Sequence, residues 1–201
     1  MAAGSRVLNV GAAGNARYYK EHGTGGWLHK RLADRAAGLI GLDIDEAEIA
    51  AARNIGFDII AGDCETVTLG ETFDLIVLSD VIEHVGNPGM ALTNTARHLA
   101  PGGQDRHHHP QCHIRRNLSK SAMRPFAECL LGSVALYTPE HIQAVCDRHG
   151  YRLQDTAFFT LSDRRTPVLR VASAIVAALA LLWPRFHASF LCVVSAGRPA
   201  A

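Results

Sequence analysis

The 201-residue sequence has almost no net charge and no low-complexity tract. Its 20 basic residues nearly balance its 19 acidic ones, so we expect no nucleic-acid partner. The hydrophobic content of 48% excludes a disordered or collagen-like chain. No apolar run reaches the roughly 20 residues that span a bilayer. A chain of this length favours one domain, which we take as residues 1–201.

Cysteines are few and never form a CxxC pair. The five of them are odd in number and scattered, which argues against a disulfide framework. Residues 1–6 do not resemble a signal peptide. We therefore expect reduced thiols and a cytoplasmic location.

Short apolar runs alternate with helical patterns along the chain. Such alternation predicts an α/β fold with a doubly wound, mostly parallel sheet whose ligands lie outside the carboxyl ends of the strands. Asp45 and Glu48 are spaced as a capping box at the start of the second helix. The predicted strands are 6–10, 38–43, 57–61, 73–79, 151–159 and 187–195, and the predicted helices are 27–36, 45–53, 87–99, 138–149 and 168–183.

Candidate ligand-binding residues follow the first three strands. Gly11 and Gly14 let the backbone approach a nucleotide, although a plain tight turn also explains a GxxG pattern. Asp43 can accept hydrogen bonds from two ribose hydroxyls; its alternative role, a helix cap, is already filled by Asp45. Asp63 can receive an adenine amino group or be an exposed turn acid.

In serial order these segments resemble the class I S-adenosylmethionine-dependent methyltransferases. The matching text is VLNVGAAG, GLDID, AGDCE, FDLIVLSDVIEHV and LAPGG, over residues 6–103. The resemblance implies a seven-stranded Rossmann-like methyltransferase sheet, with a cofactor-binding half in 6–103 and an acceptor-side half in 121–201. It implies S-adenosyl-L-methionine as the cofactor, and as its contacts Gly11, Gly14, Asp43, Asp63, Cys64 and Ser79.

The sequence departs from the family pattern in its first third. Asn9 stands where the family usually has an acid. The long connection before Asp43 includes residues 17–27, which we interpret either as a flap over the cofactor or as surface packing. Ala13 replaces the second glycine of the dinucleotide fingerprint, which argues against a nicotinamide-dependent oxidoreductase.

The DVIEH segment closes the fourth strand, where a methyl acceptor would lie. His84 is the best candidate for a general base, with Asp80 beside it. The spacing also resembles the metal-binding box of small-RNA 2′-O-methyltransferases and ubiquinone-type O-methyltransferases. That resemblance implies Mg²⁺ or Mn²⁺ held by Glu83, His84 and His141, whereas many methyltransferases use such a segment without a metal.

Residues 104–120 break the family pattern at the fifth strand. A polar, histidine-rich run follows Gly103 where a buried strand is expected, and burying it would carry a large desolvation cost. In the shifted reading frame the same codons can encode Gly-Lys-Ile-Val-Ile-Thr-Thr-Pro-Asn-Ala. We therefore hypothesise a compensated frameshift between residue 104 and residue 113 or 114, and expect the fifth strand to be disrupted.

The most favoured function is S-adenosylmethionine-dependent methyl transfer to an oxygen of a small molecule, sugar or lipid. The alternatives are a non-catalytic cofactor-binding protein and, less favoured, a nicotinamide-dependent oxidoreductase. Residues 168–183 are too short an apolar segment for a transmembrane span. They predict either a helix packed on the sheet or a peripheral contact with a membrane surface.

Overall fold

The computed structural model describes residues 2–100, 111–117, 137–159, 178 and 189–196. Within them, helices separate β1 from β2 and β2 from β3, whereas β3 is followed by β4 with no helix between them. The strands are β1 (Arg6–Val10), β2 (Gly38–Asp43), β3 (Ile59–Ala61), β4 (Leu75–Ser79), β5 (Gln111–Asn117), β6 (Tyr151–Phe159) and β7 (Ser189–Ala196). The α-helices are α1 (Ala16–His22), α2 (Leu28–Ala33), α3 (Glu46–Arg53), α4 (Pro88–Ala96) and α5 (Pro139–Arg148), with a 3₁₀ turn at Thr24–Gly26.

The strands pair in the order β3-β2-β1-β4-β5-β7-β6. Strands β1 to β5 run parallel to one another, whereas β7 runs antiparallel to both β5 and β6. The predicted α/β fold with a mostly parallel, Rossmann-like sheet is therefore confirmed. The strand order reverses between β1 and β4, and a ligand crevice is expected at the carboxyl ends of strands flanking such a switch point.

Apolar cores lie on both faces of the sheet, since alternate residues of a strand point to opposite sides. On one face Leu8 and Val10 join a core cluster with Leu92 of α4 and Ile142 of α5. On the other face Val7 packs in a cluster with Leu32 of α2, and α1 and α3 contribute to a further cluster. Helices on both faces make this a doubly wound sheet.

The fifth position of the sheet is occupied, which corrects the expectation that this strand is disrupted. Residues 111–117 pair with β4 on one side and β7 on the other. The strand lies beyond the histidine run instead of directly after Gly103, and pairing of this kind uses main-chain groups that every non-proline residue carries. Residues 104–110 are outside the described part, so the frameshift remains a hypothesis about the gene.

Several predicted elements differ from the structure at their ends, and every predicted helix is shorter in the structure wherever its residues are described. β3 begins at Ile59, two residues after its predicted start. Asp45 caps α3 by accepting from the amides of Ala47 and Glu48, but the reciprocal bond of the predicted capping box is not made. The Glu48 carboxylate instead accepts from the backbone amide and Nε of Arg17, at 3.0 and 2.6 Å, and so ties α1 to α3.

The apolar segment 168–183 lies outside the described residues apart from Ala178, so neither interpretation of it is tested. In the portion of the chain that the structure covers, no helix has the length and apolarity needed to cross a membrane.

Candidate functional site

The glycine-containing turn after β1 lies directly against the end of β4. Gly11 has a φ of +74°, and its amide donates to the Leu42 carbonyl at 2.9 Å. A Cβ on Gly11 would lie 2.5 Å from Cγ2 of Val81 and 3.2 Å from the Ser79 carbonyl oxygen. Gly14 is different, because a Cβ there would meet only the Gly11 carbonyl oxygen at 3.6 Å. The close approach therefore requires glycine at position 11 and not at position 14.

Asp43, the last residue of β2, has its carboxylate fixed by backbone amides. Oδ2 accepts from the Ala13 amide at 2.8 Å, and Oδ1 accepts from the Asp45 amide at 3.0 Å. The side chain is half-buried. A carboxylate has about four lone-pair sites, so two remain for hydroxyl donors from a ligand. The predicted ribose-binding residue is thus held in one orientation at the edge of the sheet.

Ile44 is a candidate binding residue that the sequence analysis missed. It follows Asp43 directly and its surface is 71% exposed, more than any other large apolar residue in the described part of the chain. An exposed apolar side chain beside an oriented carboxylate suits a ligand that joins a sugar to a flat ring. The signal in the sequence is an isoleucine placed between Asp43 and the helix-capping Asp45.

The turn after β3 contains the residues predicted to contact adenine. Asp63 is half-buried, and its Oδ1 accepts from the Glu65 amide at 2.8 Å. The Cys64 side chain is buried in the main core cluster. Burial raises the pKa of the Cys64 thiol to about 11, and the negative charges of Asp63 and Glu65 add to the effect. The thiol is therefore protonated at neutral pH and is not a nucleophile.

Aromatic residues pack against the glycine-containing turn that follows β1. The indole Nε1 of Trp27 donates to the Ala12 carbonyl at 3.0 Å, and the ring of Trp27 stacks on Tyr19. Trp27 is buried, so it is not part of a flap over the cofactor. The carboxyl-terminal end of residues 17–27 packs against the domain, which favours the packing interpretation of this segment. Nothing in the sequence indicated the hydrogen bond to Ala12, because it depends on the path of the intervening helix.

Asn9, the departure from the family pattern, lies beneath the same turn. Its Nδ2 donates to Nδ1 of the buried His29 at 3.2 Å. Burial lowers the pKa of His29 to about 4, so the imidazole is neutral and can accept this bond. The side-chain amide of Asn9 can therefore donate to the neutral His29 ring. The Asn9 Oδ1 is buried and has no hydrogen-bond partner among the described residues.

The DVIEH segment forms a turn at the end of β4. Ser79 and Asp80 are half-buried, and Asp80 has a φ of +54°, an uncommon conformation for a residue other than glycine. The His84 amide donates to the Val81 carbonyl at 2.8 Å and closes the turn, which leaves the His84 side chain exposed. This turn lies beside Gly11, since Val81 is the residue that limits the space there.

The predicted metal ligands Glu83, His84 and His141 are not brought together. Glu83 is buried whereas His84 is exposed. His141 instead accepts from the Thr138 amide through Nδ1 at 3.2 Å, within the capping box of α5. No group of three His, Cys, Asp or Glu side chains is placed to hold a metal ion within the described ranges, so the predicted site is corrected.

The fold and the site define a Rossmann-like domain with an oriented acid at the end of its second strand. The family model for the methyltransferase domain matches residues 21–104. Curated relatives include the ubiquinone biosynthesis O-methyltransferase of Pseudomonas fluorescens (strain Pf0-1), 29% identical over 110 residues, which are 51% of this chain and 43% of that protein. The corresponding enzyme of Hahella chejuensis is 30% identical over 107 residues, 49% of this chain and 40% of that one. The chain thus matches less than half the length of these relatives.

Solved structures share the fold over nearly the whole chain. An S-adenosylmethionine-dependent methyltransferase from Mesorhizobium loti matches with a TM-score of 0.59 and 16% identity, over 96% of this chain and 91% of that one. One from Archaeoglobus fulgidus matches with a TM-score of 0.61 and 13% identity, over 96% and 86%. The [4+2]-cyclase SpnF also matches, with a TM-score of 0.60 and 15% identity, over 98% and 76%. The chain is thus similar to the methyltransferase domain over residues 21–104, and it shares its fold with S-adenosylmethionine-dependent methyltransferases, which is the resemblance that the sequence predicts.

Proposed function

We propose that this protein binds S-adenosylmethionine across the carboxyl ends of β1, β2 and β3. The observation that carries the proposal is the Asp43 carboxylate, held by the amides of Ala13 and Asp45 next to the exposed Ile44. These residues fit an adenosine, because a carboxylate accepts two vicinal hydroxyls and an apolar side chain covers one face of a purine. Gly11 lets the turn after β1 lie directly against the end of β4, next to this site.

We further propose that the methyl group is transferred to an oxygen of a small-molecule, sugar or lipid acceptor. When bound, the donor supplies an electrophilic methyl carbon, which the acceptor oxygen attacks as the carbon–sulfur bond breaks and the sulfur keeps the electron pair. The exposed His84 imidazole lies at the rim after β4 and would take the hydroxyl proton through its unprotonated ring nitrogen. Asp80 and Ser79, at the same rim, would orient the acceptor. The choice of oxygen is supported by the O-methyltransferase names of the curated relatives.

The donor site is tested by replacing Asp43. Hydrogen bonds to a charged group contribute about 1.5–3 kcal/mol, so Asp43→Ala should weaken binding of S-adenosylhomocysteine by about tenfold or more in calorimetry. Asp43→Asn keeps the shape and one acceptor oxygen, and should lose less. Asp58→Ala is the matched control, because this carboxylate is 93% exposed and precedes β3, away from the proposed site. Unchanged affinity in a folded Asp43→Ala protein would refute the proposed donor site.

A second candidate function is cofactor binding without catalysis. It is favoured by Asn9, which stands where the family usually has an acid and bonds to the neutral ring of His29. Calorimetry followed by a methylation assay on a panel of hydroxylated acceptors separates the two functions. Binding without turnover on any acceptor favours the second, and binding of a nicotinamide dinucleotide in place of the sulfonium donor would favour an oxidoreductase.

A further inference from the structure

Glu65 joins the turn after β3 to the loop that follows β4. Its Oε1 accepts from the Gly86 amide at 2.8 Å, and its Oε2 accepts from the Asn87 amide at 3.1 Å. Residues 80–87, here called the rim loop, connect β4 to α4 and contain the DVIEH segment. One carboxylate therefore holds the far end of the rim loop through two main-chain donors.

The position of these donors makes the contact stronger than an ordinary surface hydrogen bond. Asn87 is the N-cap of α4, and its own side chain accepts from the Met90 amide at 3.1 Å. The Glu65 carboxylate thus lies at the amino end of a nine-residue helix, where the helix dipole favours a negative charge. Charge-assisted bonds to backbone amides are also shorter and stronger than neutral ones.

The same residue is bonded in the opposite direction to the proposed adenine site. The Glu65 amide donates to Oδ1 of Asp63 at 2.8 Å, and the Gly62 amide donates to the Asp43 carbonyl at 2.8 Å. Hydrogen bonds and the short chain segment 62–65 therefore link the end of β2, through the turn after β3, to the rim loop. A ligand that fixes Asp63 would also restrict Glu65 and the two amides that it holds.

We propose that Glu65 is a positioning residue that couples occupancy of the donor site to the position of the rim loop. This inference rests on the proposed function, because the donor is the ligand that contacts Asp63. Glu65 touches neither the donor nor the acceptor in this scheme. It orients the rim loop so that Asp80 and His84 face an acceptor when the donor is bound.

Hydrogen exchange of the full chain, with and without S-adenosylhomocysteine, tests the coupling. In the unmodified protein we expect the ligand to slow exchange of the amides of residues 80–87. In Glu65→Ala we expect the amides of Gly86 and Asn87 to exchange about tenfold faster without ligand, and the ligand-induced protection of the rim loop to be lost. Glu65→Gln, which keeps one acceptor oxygen, should show an intermediate response. Glu21→Ala removes an exposed carboxylate on α1 and is the matched control.

The outcomes separate this inference from the one on which it rests. If the unmodified protein does not bind S-adenosylhomocysteine, the proposed function is wrong and the coupling fails with it. If the ligand binds and Glu65→Ala still shows the full protection of the rim loop, the coupling alone is wrong. Should Glu65→Ala not fold, as shown by a lost thermal transition, Glu65→Gln decides the same question by the size of its ligand-induced protection.

Discussion

Replacing Gly11 by alanine measures how closely the ends of β1 and β4 approach. The added Cβ would lie 2.5 Å from Cγ2 of Val81 and 3.2 Å from the Ser79 carbonyl oxygen. The first contact is with a half-buried side chain on the turn after β4, which must rotate away, and the second is with backbone, which must shift. The φ of +74° adds a conformational cost for any residue with a side chain.

The magnitude follows from these two terms. A left-handed conformation costs about 1–2 kcal/mol for a residue with a Cβ, and forcing extra atoms into a packed site costs about 1–3 kcal/mol. Gly11→Ala should therefore lower the free energy of unfolding by about 2–5 kcal/mol, a large part of a margin of about 5–15 kcal/mol. With a urea m-value of about 1–3 kcal/mol/M, the unfolding midpoint should fall by about 1 M or more.

Gly14→Ala is the matched control, since its Cβ would meet only one atom, at an ordinary 3.6 Å. Its urea midpoint should stay close to that of the unmodified protein, followed by the fluorescence of the buried Trp27. Equal midpoints for the two variants would refute the argument that the turn is packed against the end of β4. A midpoint lowered in both would show that the turn tolerates no side chain at all, and would equally contradict the geometry.

Two further predictions concern the residues beneath the turn. Burial lowers the pKa of His29 to about 4 from an unfolded value near 6.5, so the unfolded chain binds the extra proton first and stability should fall as the pH drops from about 6.5 to 4. Urea midpoints at pH 7 and 4.5 measure this loss of stability. In His29→Gln the midpoint should change less between the two pH values. An equal change in the variant would contradict the assignment of the loss to His29. Trp27→Phe removes the donor to the Ala12 carbonyl and should lower the free energy of unfolding by about 1–3 kcal/mol. Because the variant lacks the Trp27 fluorescence, its urea midpoint is followed by circular dichroism, and a stability equal to that of the unmodified protein is the contrary result.

Predictions from the sequence were accurate where a local pattern decided the structure. The bounds of β1, β2 and β6 agree with the predicted ones, because alternation and glycine boundaries are properties of short segments. Thr138 caps α5 as its Thr-Pro start indicates. Asp43 was placed at the right strand end by the same local reasoning, and its orientation by two amides is consistent with the predicted role.

Features that depend on contacts between distant residues could not be predicted. The Glu48 side chain has the spacing of a capping box, yet the nearby Arg17 offers two donors and takes both of its oxygens. The metal prediction failed because adjacent residues in the turn after β4 face opposite ways. Glu83 is buried while His84 is exposed. The fifth strand was expected directly after Gly103, whereas the structure places it at Gln111–Asn117, beyond the histidine run.

The antiparallel strand β7 has a consequence for how the chain folds. Among the described strands, β6 lies at the edge of the sheet and pairs only with β7, although β7 begins about thirty residues after β6 ends. A chain emerging from the ribosome can therefore assemble β1 to β5 while β6 is still unattached, with its hydrogen-bonding groups exposed to other chains. Truncation upstream of Ser189 should leave β6 unpaired, and slow translation there should prolong the time for which β6 is unpaired. The synthesis of β7 should therefore determine how much the nascent chain aggregates.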